Sequence, residues 1–125
     1  MFEKAGYMSH NYTTKVENFI VPYLGKNGYT LIKSEFVEEE HNWYLRLYID
    51  LSEEEFAART AKMEETKAEL DEEQLEDVPD EVGVSINDCV KVSRYLSKWL
   101  DKEDFIKEVY TLEVCSKGFL NNENE

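Results

Sequence analysis

Residues 84–101, VSINDCVKVSRYLSKWLD, decide how the rest of the chain is read. Ser85 and Asp88 stand three positions apart at the head of this stretch. A hydroxyl and a carboxylate at that spacing satisfy free backbone N–H groups at a helix start and complement its dipole, so a helix is predicted to begin here. Ile86, Cys89, Val90, Ser93, Leu96, Ser97 and Leu100 then recur at helical spacing, while Val92, Tyr95 and Trp99 widen the apolar stripe. A stripe that wide needs a large cover, and one face of a sheet supplies it. Core packing accounts for the apolar positions. It does not require the small polar set Asp88, Ser93, Arg94 and Ser97.

The cover is found upstream. Residues 29–37, YTLIKSEFV, are rich in β-branched and aromatic side chains, although Leu31 and Ile32 interrupt the alternation. After a turn over EEEHN, residues 38–42, the run 43–50 alternates cleanly. Trp43, Leu45, Leu47 and Ile49 take one face, and Tyr44, Arg46, Tyr48 and Asp50 take the other. An antiparallel hairpin with one buried face is expected. Downstream, Tyr110, Leu112 and Val114 alternate with Thr111, Glu113 and Cys115 as a third strand, and Ser116-Lys-Gly118 turns the chain. Ahead of the hairpin, Thr14 and Glu17 form a capping signature for a helix through Val16, Phe19, Ile20, Tyr23 and Leu24, loosened at Pro22 and ended by Gly25 or Gly28. The fold class is therefore α+β, two layers, a three-stranded sheet with two helices on one face. Its domain spans 13–118, between a flexible N-terminus at 1–12 and a disordered tail at 119–125.

One segment does not fit this pattern. Residues 53–82 hold 13 acidic and 3 basic side chains, −10 of the net −14 carried by all 125 residues. Phe56, Met63 and Leu70 lie seven apart with alanines between them, which predicts a helix to about Leu70 with a thin apolar seam. A polar linker broken by Pro79 follows. The region 51–82 is read as an acidic helical insertion, either a solvated appendage or an arm for a basic partner.

A pI near 4.5 opposes binding to a phosphate backbone and favours a cationic partner. Cys89 and Cys115 are read as small buried hydrophobes, and a disulfide between them is open but unsupported where no secretory signal is seen. No stretch of 18 apolar residues occurs, so a soluble, cytoplasmic protein is expected, with no membrane contact. His10 and His41 have no ligand-like spacing, and HExxH, CxxC, GxSxG, P-loop and GxGxxG patterns are missing. Neither an enzyme nor a metal, cofactor or small-molecule site is expected. Gly25-Lys-Asn-Gly28 is formally the GxxG loop with which KH domains clamp nucleic acid, but here it joins a helix to a strand, and helix termination explains both glycines.

Taken together, these residues resemble the N-terminal domain of the bacterial ribosome maturation factor RimP family. The likeness is carried by the kinked helix at Pro22 leading to Gly28-Tyr29, by WYLRLYID at 43–50, by the helix from Asp88-Cys89 to Leu100-Asp101, and by YTLEV at 110–114 with Ser116 and Gly118. It implies a non-enzymatic factor assisting maturation of the small (30S) ribosomal subunit through a basic ribosomal protein of the pre-30S particle, with little direct RNA binding. Arg46, Asp50, Asp88, Ser93, Arg94, Ser97, Glu113, Ser116 and Gly118 match the family pattern, and all of these except Glu113 are taken from the resemblance as the partner-binding candidates. Family members continue from the third strand through a Ser-Pro-Gly turn into an SH3-like domain. Cys115 and Lys117 alter that turn here, an Asn-rich tail follows, and a fragment and a one-domain relative are both open. The alternatives are a KH-like RNA-binding module and a stand-alone acidic interaction domain.

Overall fold

A computed structural model of the chain describes residues 3–75 and 82–117, with side chains from Tyr12 onward. The element order is α1 (Glu3–Lys26), β1 (Tyr29–Glu39), β2 (Asn42–Leu51), α2 (Glu53–Glu69), α3 (Glu72–Leu75), α4 (Ile86–Glu103) and β3 (Tyr110–Ser116). The three strands form one sheet in the order β1-β2-β3. The α+β architecture with two helices on one sheet face is the one the sequence predicts.

Helix α1 begins earlier than the Thr14 signature suggests, at Glu3, inside the segment expected to be a flexible N-terminus. It passes through Pro22, which is exposed, so the missing N–H costs no buried hydrogen bond. It ends before Gly28, whose φ of +84° turns the chain into β1.

The hairpin is antiparallel and pairs Glu39 with Asn42 across Glu40 and His41. Both turn residues have positive φ, at 51° and 70°, which a two-residue type I′ connection requires. The turn is thus shorter than 38–42. The broken alternation in β1 has a local cause: the register shifts between Leu31 and Lys33, leaving Ile32 as the extra residue of a bulge, 42% exposed. After the bulge Ser34 and Phe36 face the core opposite Leu47 and Leu45.

Strand β3 runs parallel to β2, setting Leu112 beside Leu45 and Val114 beside Leu47. Parallel neighbours need a crossover, here made by α2, α3 and α4. The core joins Val16, Ile20 and Leu24 of α1 and Val92, Leu96 and Leu100 of α4 to Leu45, Leu47 and Ile49. An aromatic seam closes the two helices on each other, with Phe19 stacked on Trp99 at 4.2 Å and Tyr23 on Tyr95 at 3.7 Å between ring centroids.

Three departures matter. In α4 the buried row is Asp88, Val92, Leu96 and Leu100, whereas Ile86 is 83% and Val90 40% exposed. The opposite sheet face is not uniformly solvated, because Tyr48 is 1% exposed there. The insertion is narrower than 51–82: Leu51 ends β2 in the core, and Val82 packs against it.

Candidate functional site

The capping box at the head of α4 forms as predicted. Ser85 Oγ accepts from the Asp88 N–H at 3.1 Å, and Asp88 Oδ2 accepts from the Ser85 N–H at 2.7 Å. Asp88 does more than cap. Its Oδ1 accepts from the Tyr29 hydroxyl at 2.5 Å, and Arg59 of α2 donates to both carboxylate oxygens. Burial alone would raise the Asp88 pKa, but the Arg59 guanidinium, the Ser85 N–H and the Tyr29 hydroxyl outweigh it and hold the carboxyl well below the usual range. Tyr29 is pushed up to about 12, by burial first and then by the adjacent carboxylate. Every strong partner of Asp88 is thus internal, and its work in this geometry is to fasten α2, β1 and α4 together.

Arg46 is committed in the same way. Its guanidinium forks onto Glu39 at 2.8 and 2.9 Å and donates to Glu113 at 2.6 Å, spanning β1, β2 and β3 on the sheet face opposite the helices. These carboxylates, Glu39 before Glu113, raise its pKa further despite burial. Asp50 caps the Leu51 N–H at 2.9 Å and lies 3.7 Å from Lys117.

The remaining candidates sort by position. Ser93, Arg94 and Ser116 line one groove between α4 and β3, and Ser97 lies half-buried a turn further along α4. Gly118 lies outside the described residues. The nine matched positions therefore do not converge: Arg46 and Glu113 pair on the outer sheet face, Asp88 is inside, and only the groove set is gathered and accessible.

Sequence reasoning missed Arg59, the residue that ties the acidic segment to the domain. Its signal was being one of only three cations among 13 acids in residues 53–82. It also missed Ser52, which caps α2 by accepting from the Glu55 N–H at 3.2 Å. Glu55 in turn packs on the last residue of the Gly25–Gly28 loop: a Cβ on Gly28 would lie 2.9 Å from Glu55 Cγ. A carboxylate-bearing side chain pressed on that loop opposes a phosphodiester there, against the KH-like use of the glycines.

The two cysteines form no disulfide, and burial raises the Cys89 thiol pKa. Among the described residues no three His, Cys, Asp or Glu side chains are grouped to hold a metal ion, and no helix is long and apolar enough to cross a membrane. A family model described as the RimP N-terminal domain matches residues 19–119. No solved structure matches the chain.

Proposed function

Because the chain belongs to the RimP N-terminal domain family, a family of ribosome maturation factors, we propose that it assists assembly of the small ribosomal subunit by holding a basic ribosomal protein. The observation that carries this reading is the family match, which covers the last third of α1 and every later element through β3. The charge distribution supports the choice of partner. No side chain of α2 is buried, and Glu53, Glu54, Glu64, Glu65 and Glu69 all face solvent. A cationic client is drawn to such a surface over a Debye length of about 8–10 Å. An RNA backbone is repelled by it. No chemical step is required of the protein.

The test is binding kinetics of the purified chain against an isolated basic small-subunit ribosomal protein and against a ribosomal RNA fragment, each at two salt concentrations. Saturable protein binding, with an association rate that falls as salt rises and with weak RNA binding, supports the reading. Tight RNA binding with no affinity for the protein overturns it.

A further inference from the structure

In a chain of net charge −14, the solvent face of α4 is the exception. Lys91, Arg94 and Lys98 are exposed and follow one another at helical spacing, covering about 10 Å of helix at 1.5 Å per residue. Arg46 and Arg59 are both held by carboxylates. Among the described residues, Lys91, Arg94 and Lys98 form no ion pair, although Lys91 lies 5.9 Å over the Tyr29 ring. Beside this row runs a groove of about 510 Å³ whose apolar side chains include Val84, Ile86, Val90 and Val114, with Arg94 among the polar ones. Ile86 is left 83% exposed in an otherwise well-packed helix. The far wall is β3, the last strand of the sheet, which pairs only with β2 among the described residues.

An apolar floor, an open strand edge and Arg94 on the rim, at the centre of the cationic row, each demand something from a partner. The strand edge offers main-chain donors and acceptors to an extended polypeptide, the mode of recognition by strand addition. The floor takes an apolar side chain from every second residue of such a strand. Arg94 takes a carboxylate from a residue on that same side of the strand. We propose that the α4–β3 groove binds an extended protein segment added along the open edge of β3, whose groove-facing residues, every second one, are apolar with an acidic residue among them to meet Arg94. RNA is the less favoured occupant, because its phosphates would gain from the cations but nothing from Ile86, Val90 and the strand edge, and would meet the field of the whole acidic molecule. This surface is separate from the acidic face of α2, so the proposal holds or fails independently of the ribosomal one.

The test uses the full chain and a short fluorescein-labelled peptide in which Thr alternates with Val and one central Val is replaced by Glu, so that Val and Glu share one face of the strand. The controls are the same peptide with Lys in place of Glu and a labelled single-stranded RNA. Fluorescence anisotropy should show saturable binding of the Val/Glu peptide alone. Arg94→Glu should weaken it about tenfold or more, and Ile86→Ser should weaken it clearly. Both side chains are exposed, so the melting temperature of each variant should stay at the parent value and separate lost binding from lost folding. Backbone amides of β3 should gain hydrogen-exchange protection when the peptide is bound. Equal binding of the Lys peptide, or Val/Glu binding untouched by both substitutions, overturns the proposal. So does RNA binding that is tighter than peptide binding and abolished by Arg94→Glu, which would make the row a phosphate surface. Self-association of the chain that Ile86→Ser abolishes and the peptide does not compete would assign the groove to a second copy instead.

Discussion

Arg59 on α2 grips Asp88 on α4 with both terminal nitrogens, at 2.8 and 3.1 Å. This pair makes the acidic insertion part of the hydrogen-bonding of the domain, although none of the side chains of α2 is buried. Replacing residues 53–81 with a short Gly/Asn turn should therefore preserve cooperative unfolding but lower stability by about 1–3 kcal/mol, the value of charged hydrogen bonds lost by a buried carboxylate. Asp88→Asn in the intact chain should cost a similar amount. The two changes together should cost less than their sum, because they remove one interaction from opposite ends. Denaturant unfolding of the four proteins measures this directly. Non-cooperative unfolding of the shortened chain would mean that α2 supports the core itself.

Leu96 is fully buried between the sheet and α1. Leu96→Ala should cost about 2–5 kcal/mol, the transfer term plus a residual cavity. A denaturation midpoint within error of the parent would remove Leu96 from the core.

Gly28 is held at a φ of +84° with Glu55 close by. Gly28→Ala should destabilise by about 1–2 kcal/mol, the cost of the left-handed conformation for a residue with a Cβ. Removing the contact with Glu55→Ala should recover only part of that loss, because the backbone strain remains. Thermal melts of the single and double variants separate the two contributions.

Stability should have two pH limits set by one hydrogen-bonded pair. The Asp88 pKa is depressed, so its contribution is complete above the ordinary carboxylate value of about 4 and is lost as pH falls toward its folded value. Tyr29 is raised to about 12. Its contribution is complete below the ordinary tyrosine value of about 10 and is lost as pH rises through 12. Melting temperature should form a plateau from about pH 5 to about pH 9. Asp88→Asn should make the acid limb shallower, and Tyr29→Phe the alkaline limb. Limbs unchanged by both substitutions would remove the pair from control of stability.

Arg46 and Arg94 should behave as opposites. The Arg46 side chain is 14% exposed and carries three short hydrogen bonds to carboxylates. Arg46→Gln should cost about 1–2 kcal/mol. Arg94→Ala should stay within about 0.5 kcal/mol of the parent, since the side chain is exposed and has no ion-pair partner among the described residues. Chemical denaturation of both variants checks the contrast.

The elements themselves were legible because their signals are local. Ser85 with Asp88 announces the start of α4 through a contact three residues long, and the alternation from Trp43 to Asp50 records which side of β2 is dry. Two helices with apolar faces and three strands with apolar faces also leave few ways to build layers, so the α+β class follows from the pattern. The family likeness was visible for the same reason, since it rests on short runs in a fixed order.

What the sequence by itself determined was therefore the set of elements, the faces they want to bury and the sign of the charge. The tertiary structure alone decided which row of α4 meets the sheet, that β3 lies parallel to β2, and that Arg59 reaches Asp88 across 29 residues. Hydrophobicity states what a side chain gains by burial, but not which of two adjacent rows will be buried when a helix docks. That choice left Ile86 and Val90 outside with Arg94 and turned Asp88, a candidate for binding, into a fastening. A side chain becomes available to a partner only when the fold has no use for it, and that depends on long-range contacts which no local pattern encodes.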